Sequence, residues 1–100
     1  MHKGTTPKHT FKIPFKTETI AILRVTYAQR DEIVVEKTEA DCTLEGDEII
    51  VKLSQEETLS FDENEFVKIQ IRIITTDGEA LVSNKIRLSV GDVLNKEVLV

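Results

Sequence analysis

One hundred residues, with 13 basic and 18 acidic side chains and a net charge of −5, describe one ordinary domain able to bury its own core. The negative balance disfavours broad binding to nucleic acid or anionic membranes, whose phosphates require a basic surface. Cys42 is the only cysteine, which excludes an intramolecular disulfide and a cysteine-built zinc site.

The N-terminal Met-His-Lys-Gly-Thr-Thr-Pro lacks the apolar region of a signal peptide. No apolar run reaches the ~20 residues that span a bilayer. These features predict synthesis and folding in the cytoplasm, with residues 1–7 as a flexible segment of a single domain covering 1–100. His2, Lys3, Lys8, His9, Lys12 and Lys16 give the start a local positive bias, which an edge strand bearing lysines explains more simply than a nucleic-acid arm.

The dominant period is two. In "HTFKIPF", Phe11, Ile13 and Phe15 alternate with Thr10, Lys12 and Pro14, the pattern of a half-buried strand. Pro14 has no N–H for a ladder, so this strand belongs at a sheet edge or a bulge. After a short turn at "TETI" comes "IAILRVTYAQ", with Leu23, Val25 and Tyr27 on one face. A charged break at 29–32 leads to "IVVEK". Next, "CTLEGDEIIVKL" predicts a hairpin turning at Glu45-Gly46-Asp47, with Gly46 at positive φ and Ile49, Val51 and Leu53 inward. Cys42 is expected there as a small hydrophobe on a strand.

The stretch "KLSQEETLSFDENEF" is dense in acid. Glu56, Glu57, Asp62, Glu63 and Glu65 could supply oxygen ligands to calcium, but the alternating Asp/Asn ligands and central glycine of a dedicated calcium loop are missing. Ser54 and Glu57 fit a capping box instead, predicting a short helical turn near 54–59 with Leu59 and Phe61 plugging one end of the fold. Asp62 and Asn64 suit the turn that follows.

"FVKIQIRIITT" alternates most clearly, with Val67, Ile69, Ile71 and Ile73 on one face. Asp77-Gly78 is a two-residue hairpin signal, and "ALVSNKIRLSV" reads as the return strand, with a bulge or kink at Ser83-Asn84. The C-terminal "EVLV" ends on Val98, Leu99 and Val100, which form either a last strand at home or a contact with a partner protein.

About seven short strands, set off by turn signals roughly every ten residues, predict an all-β fold, an Ig-like antiparallel β-sandwich. No residues assemble a catalytic, metal or cofactor site. His9 reads as a partly buried strand histidine, the glycines are scattered, and no nucleophile motif is present. The chain is therefore expected not to be an enzyme and to need no cofactor. A carbohydrate-binding role would call for exposed aromatic platforms, whereas Tyr27 and the phenylalanines fall mostly on inward positions.

The phrases "TPKHTF", "RVTYAQ", "DCTLEG", "VKLSQEETLSF", "VKIQIRIITTDGEALVS" and "SVGDVLNKEVL" together resemble small proteins encoded by phages and prophages of Gram-positive bacteria near tail and baseplate genes. The likeness runs over residues 5–99. More loosely, the chain is similar to the Ig-like N-terminal domains of phage baseplate upper proteins. The resemblance implies a structural or accessory protein acting through protein–protein contacts, by self-association or with tail proteins, and a place in the virion. It implies no site residues. The competing expectation is a free-standing module that binds a host surface glycan or host protein.

Overall fold

The structure, a computed structural model, describes residues 2–83 and 86–88. They form eight strands: β1 (Lys8–Lys12), β2 (Ile20–Gln29), β3 (Glu32–Thr38), β4 (Cys42–Glu45), β5 (Glu48–Lys52), β6 (Val67–Thr75), β7 (Ala80–Val82) and β8 (Ile86–Leu88). One helix, α1 (Gln55–Leu59), and two 3-10 turns at Thr17–Thr19 and Glu39–Asp41 complete the secondary structure. The strands make two antiparallel sheets, the all-β sandwich that the alternation predicts. The first sheet runs β1-β5-β4. The second has five strands, β3-β2-β6 with β7 and β8 both on the far side of β6. Val98, Leu99 and Val100 lie outside the described residues.

Alternation decides which side chains enter the core. Leu23, Val25 and Tyr27 of β2, Ile49 and Val51 of β5, and Val67 and Ile69 of β6 are fully buried, and Ile71 and Ile73 nearly so. A fully buried side chain of this kind contributes about 1.5–3 kcal/mol, so this two-residue period supplies the main cohesive term.

Three turns show how the chain reverses. β2 and β3 are joined by Arg30-Asp31, both at positive φ (51° and 66°), and Gln29 pairs with Glu32 across the turn. This is a two-residue hairpin in which two non-glycine residues adopt the conformation that a primed turn demands. The sequence shows only a charged break there. At β4–β5, Gly46 takes φ 56° between the paired Glu45 and Glu48, as expected. The β6–β7 hairpin forms where Asp77-Gly78 signals it, but its loop is longer than two residues. Gly78 alone is at positive φ, 88°; its N–H bonds Thr75 O (3.0 Å), and the Thr75 N–H bonds Glu79 O (2.9 Å). The Thr75 hydroxyl donates to the Asp77 carboxylate and favours this wider turn.

The return strand changes register as its sequence suggests. Arg72 pairs with Val82 of β7, whereas Ile69 pairs with Ile86 of β8, so the two strands meet β6 in registers that differ by one residue; Asn84 lies outside the described residues. Ser83 marks the place: its hydroxyl accepts from Ile71 N–H (2.9 Å), and its own N–H bonds Ile71 O (2.8 Å).

Candidate functional site

The acidic stretch is built as a corner. The Ser54 hydroxyl accepts from the Glu57 N–H (3.1 Å), and the Glu57 carboxylate accepts from the Ser54 N–H (2.8 Å). This is the reciprocal pair of a capping box. Glu57 also holds Lys37 of β3 at 2.8 Å, with the lysine side chain only 14% exposed. Partial burial pushes the Glu57 carboxyl up, but Lys37 and Ser54 more than offset this and leave it below the ordinary range.

The other carboxylates divide between clamps and solvent. Asp62 and Glu65 each meet Arg30 at 3.0 Å. Beneath them the buried Gln29 amide donates to Asp62 O (2.8 Å) and Glu65 O (3.2 Å) and accepts from Asp62 N–H (2.8 Å). The loop after α1 therefore grips the strained β2–β3 turn. Sequence reading did not find this clamp; its only signal was a glutamine at an inward strand position. Glu56 and Glu63 are exposed. Among the described residues no three His, Cys, Asp or Glu side chains gather around a common ion position.

The plug at this end differs from expectation in one residue. Phe61 is buried, 1% exposed, against Tyr27, but Leu59 is 52% exposed and Thr58 is fully buried in its place. The expectation sets Leu59 together with Phe61 beneath the turn. The helix instead returns to the same face after three residues, which pairs Thr58 with Phe61. The Thr58 hydroxyl donates to Gln55 O (3.0 Å) or Thr5 O (2.8 Å). Of residues 1–7, expected as a flexible segment, Thr5 thus meets α1 and Pro7 O accepts from Leu53 N–H (3.0 Å) at the end of β5.

His9 and Cys42 are structural in their surroundings. His9 Nδ1 lies 2.8 Å from Tyr27 Oη, and the two rings stack. Burial pushes the tyrosine up and the histidine down, so a neutral phenol and a neutral imidazole share this hydrogen bond. Cys42 opens β4, half-buried, and burial together with Asp41 pushes its thiol up to about 11. A thiol so protonated is a poor nucleophile at neutral pH.

The two sides of the sandwich differ. On one, β3 crosses to β4 through Glu39–Asp41, and Glu39 reaches back to accept from Leu23 N–H (3.0 Å). On the other, β1 and β7–β8 edge their sheets with an apolar groove of about 490 Å³ between them. Phe11, Ile13, Pro14 and Phe15 line one wall, and Ile71, Ile73, Leu81, Val82 and Ile86 the other. Phe11, Phe15 and Leu81 are only half-buried, while Val82 and Ile86 are 58% and 38% exposed. Sequence reading placed Phe11 and Phe15 inward and β1 at an edge, which β1 is. It did not foresee that this edge borders an open side, since that depends on strand order.

Elsewhere the outer face of β2, β3 and β6 forms a shallow hollow with both charge signs, Arg24, Lys68 and Arg72 with Asp31 and Glu36. Of the five aromatic side chains, Tyr27 and Phe61 are buried and Phe66 is 58% exposed beneath the Arg87 guanidinium. No helix among the described residues is long and apolar enough to cross a membrane.

Compared with family models, curated proteins and solved structures, the chain matches none of them.

Proposed function

We propose that this chain is a non-enzymatic β-sandwich protein that works through protein–protein contacts, as a structural or accessory component of a phage tail or baseplate. The open side of the sandwich carries this reading. Its groove leaves apolar side chains exposed along a line where a core would otherwise be closed, and contiguous patches of this kind serve as protein interaction surfaces. The phage setting comes from the resemblance of residues 5–99.

The test mixes the purified protein with purified tail or baseplate particles and follows co-sedimentation. Wild type is expected to travel with the particles. Phe15→Glu puts a charge into the groove from a half-buried position and is expected to abolish association while keeping the strand-rich circular dichroism spectrum. A wild-type protein that stays monomeric and ignores the particles overturns the reading.

A further inference from the structure

The groove is bounded by a strand edge with a definite polarity, and that edge specifies what fits. Among the described residues β1 pairs with β5 alone. Its ladder is bracketed by Leu53 N–H to Pro7 O (3.0 Å) and Ile13 N–H to Asp47 O (2.8 Å). Odd-numbered residues of β1 therefore turn their backbone groups toward β5. Alternate residues of an antiparallel strand face opposite ways, so the N–H and C=O groups of Lys8, Thr10 and Lys12 point out from the free edge. No backbone group among the described residues bonds to them.

Side chains divide by the same parity. His9, Phe11 and Ile13 face the core, whereas Lys8, Thr10 and Lys12 are exposed on the outer face. Lys8 already stands opposite Lys52 across the ladder, whereas Lys12 stands opposite Glu48 and 3.8 Å from Asp47, with its side chain still 77% exposed. Lys16 continues the exposed basic rim. An added strand would therefore set alternate side chains into the groove and the intervening ones beside lysines.

We propose that the free edge of β1 and the adjoining groove take up an extended segment of a partner protein in which apolar and acidic residues alternate. This rests on the groove being the interaction surface and adds how the partner binds: by strand addition, with main-chain bonds supplying affinity and alternate side chains supplying selection. Acidic side chains opposite Lys8 and Lys12 gain cross-strand attraction, while like charges are penalised. The same lysines select against a second copy, because pairing two β1 edges sets lysine against lysine. Pro14 ends the ladder, so the added strand is short.

The experiment uses the full chain, isotope-labelled, titrated with two short end-capped peptides alternating valine with glutamate or valine with lysine. The glutamate peptide is expected to bind about tenfold more tightly, shifting resonances of residues 8–13 and Leu81. The double variant Lys8→Glu, Lys12→Glu is expected to invert the preference. Thr10→Pro removes an outward N–H that β5 does not use, a replacement that an edge strand tolerates, and is expected to abolish peptide binding without lowering Tm by more than a few degrees.

Equal affinity for both peptides, or no binding, overturns the proposal. Concentration-dependent self-association that Thr10→Pro abolishes also overturns it, assigning the edge to a second copy. Slow hydrogen exchange at Thr10 and Lys12 in the free protein overturns it too, because the chain's own residues then occupy the edge. If Phe15→Glu abolishes association with tail particles while Thr10→Pro leaves it intact, the groove stands as the interaction surface and strand addition falls.

Discussion

At the scale of single residues, the core polar contact between His9 and Tyr27 gives the fold a pH dependence that can be read separately from its carboxylates. Burial holds the His9 pKa below its ordinary value of 6.5. The unfolded chain therefore binds a proton more readily than the folded one as pH falls through 6.5, and stability falls with it until the folded pKa is passed. Glu39, Asp41, Glu57 and Asp77 have carboxyls below their ordinary values of 4.5 and 3.8. Their stabilisation is present above those values and is lost only at lower pH. Thermal unfolding followed between about pH 7.5 and 5.5 thus isolates the histidine. Wild type is expected to lose Tm steadily over that range, and His9→Gln, which keeps an acceptor for the phenol, is expected to show a flatter profile. Parallel profiles would place the proton elsewhere.

At the scale of elements, the sequence was most legible where one residue type does one thing. The paired alternations in β2, β5 and β6 named their buried faces, and Gly46 named its turn. Ser54 with Glu57 named the start of α1. Legibility failed where a feature depends on a neighbour distant in sequence. Arg30 and Asp31 adopt left-handed backbone in a turn that Asp62 and Glu65 hold in place, through Arg30 and the adjacent Gln29, from more than thirty residues away. Leu59 was misplaced because it was set beneath the turn together with Phe61, whereas the helix brings Thr58 to that face. The cap itself is testable. Ser54→Ala is expected to cost about 1 kcal/mol, or roughly 5 °C in Tm for a domain of this size. Glu57→Ala removes the reciprocal bond and also strands Lys37, which is mostly buried, so about 2–3 kcal/mol is expected. Equal costs for the two would mean that Lys37 finds water without difficulty. Denaturant unfolding of both variants decides between these.

For the whole molecule, the unequal sides of the sandwich should appear as unequal local stability. β2 is flanked by β3 and β6, β6 by β2 and the β7–β8 edge, and β5 by β1 and β4. Among the described residues β1 has a single neighbour and lies along the groove, so separating it from β5 breaks one ladder and the His9–Tyr27 contact and exposes half-buried Phe11 and the groove wall. Opening β2 instead breaks two ladders and exposes Leu23, Val25 and Tyr27, all fully buried. Local opening costs what it exposes and unbonds. Native-state hydrogen exchange is therefore expected to rank the amides. Val25, Tyr27 and Ile69 should exchange only with global unfolding. His9, Phe11 and Ile13 should exchange through a cheaper opening, and Lys8, Thr10 and Lys12 should exchange fastest. The ranking was beyond the sequence because it follows from strand order, which alternation does not encode: the same inward residues would sit on a closed edge if β1 and β7 paired. Uniform protection across β1 and β2 would show that the two sheets open together, and the groove would then be a rigid surface rather than the loosest seam of the fold.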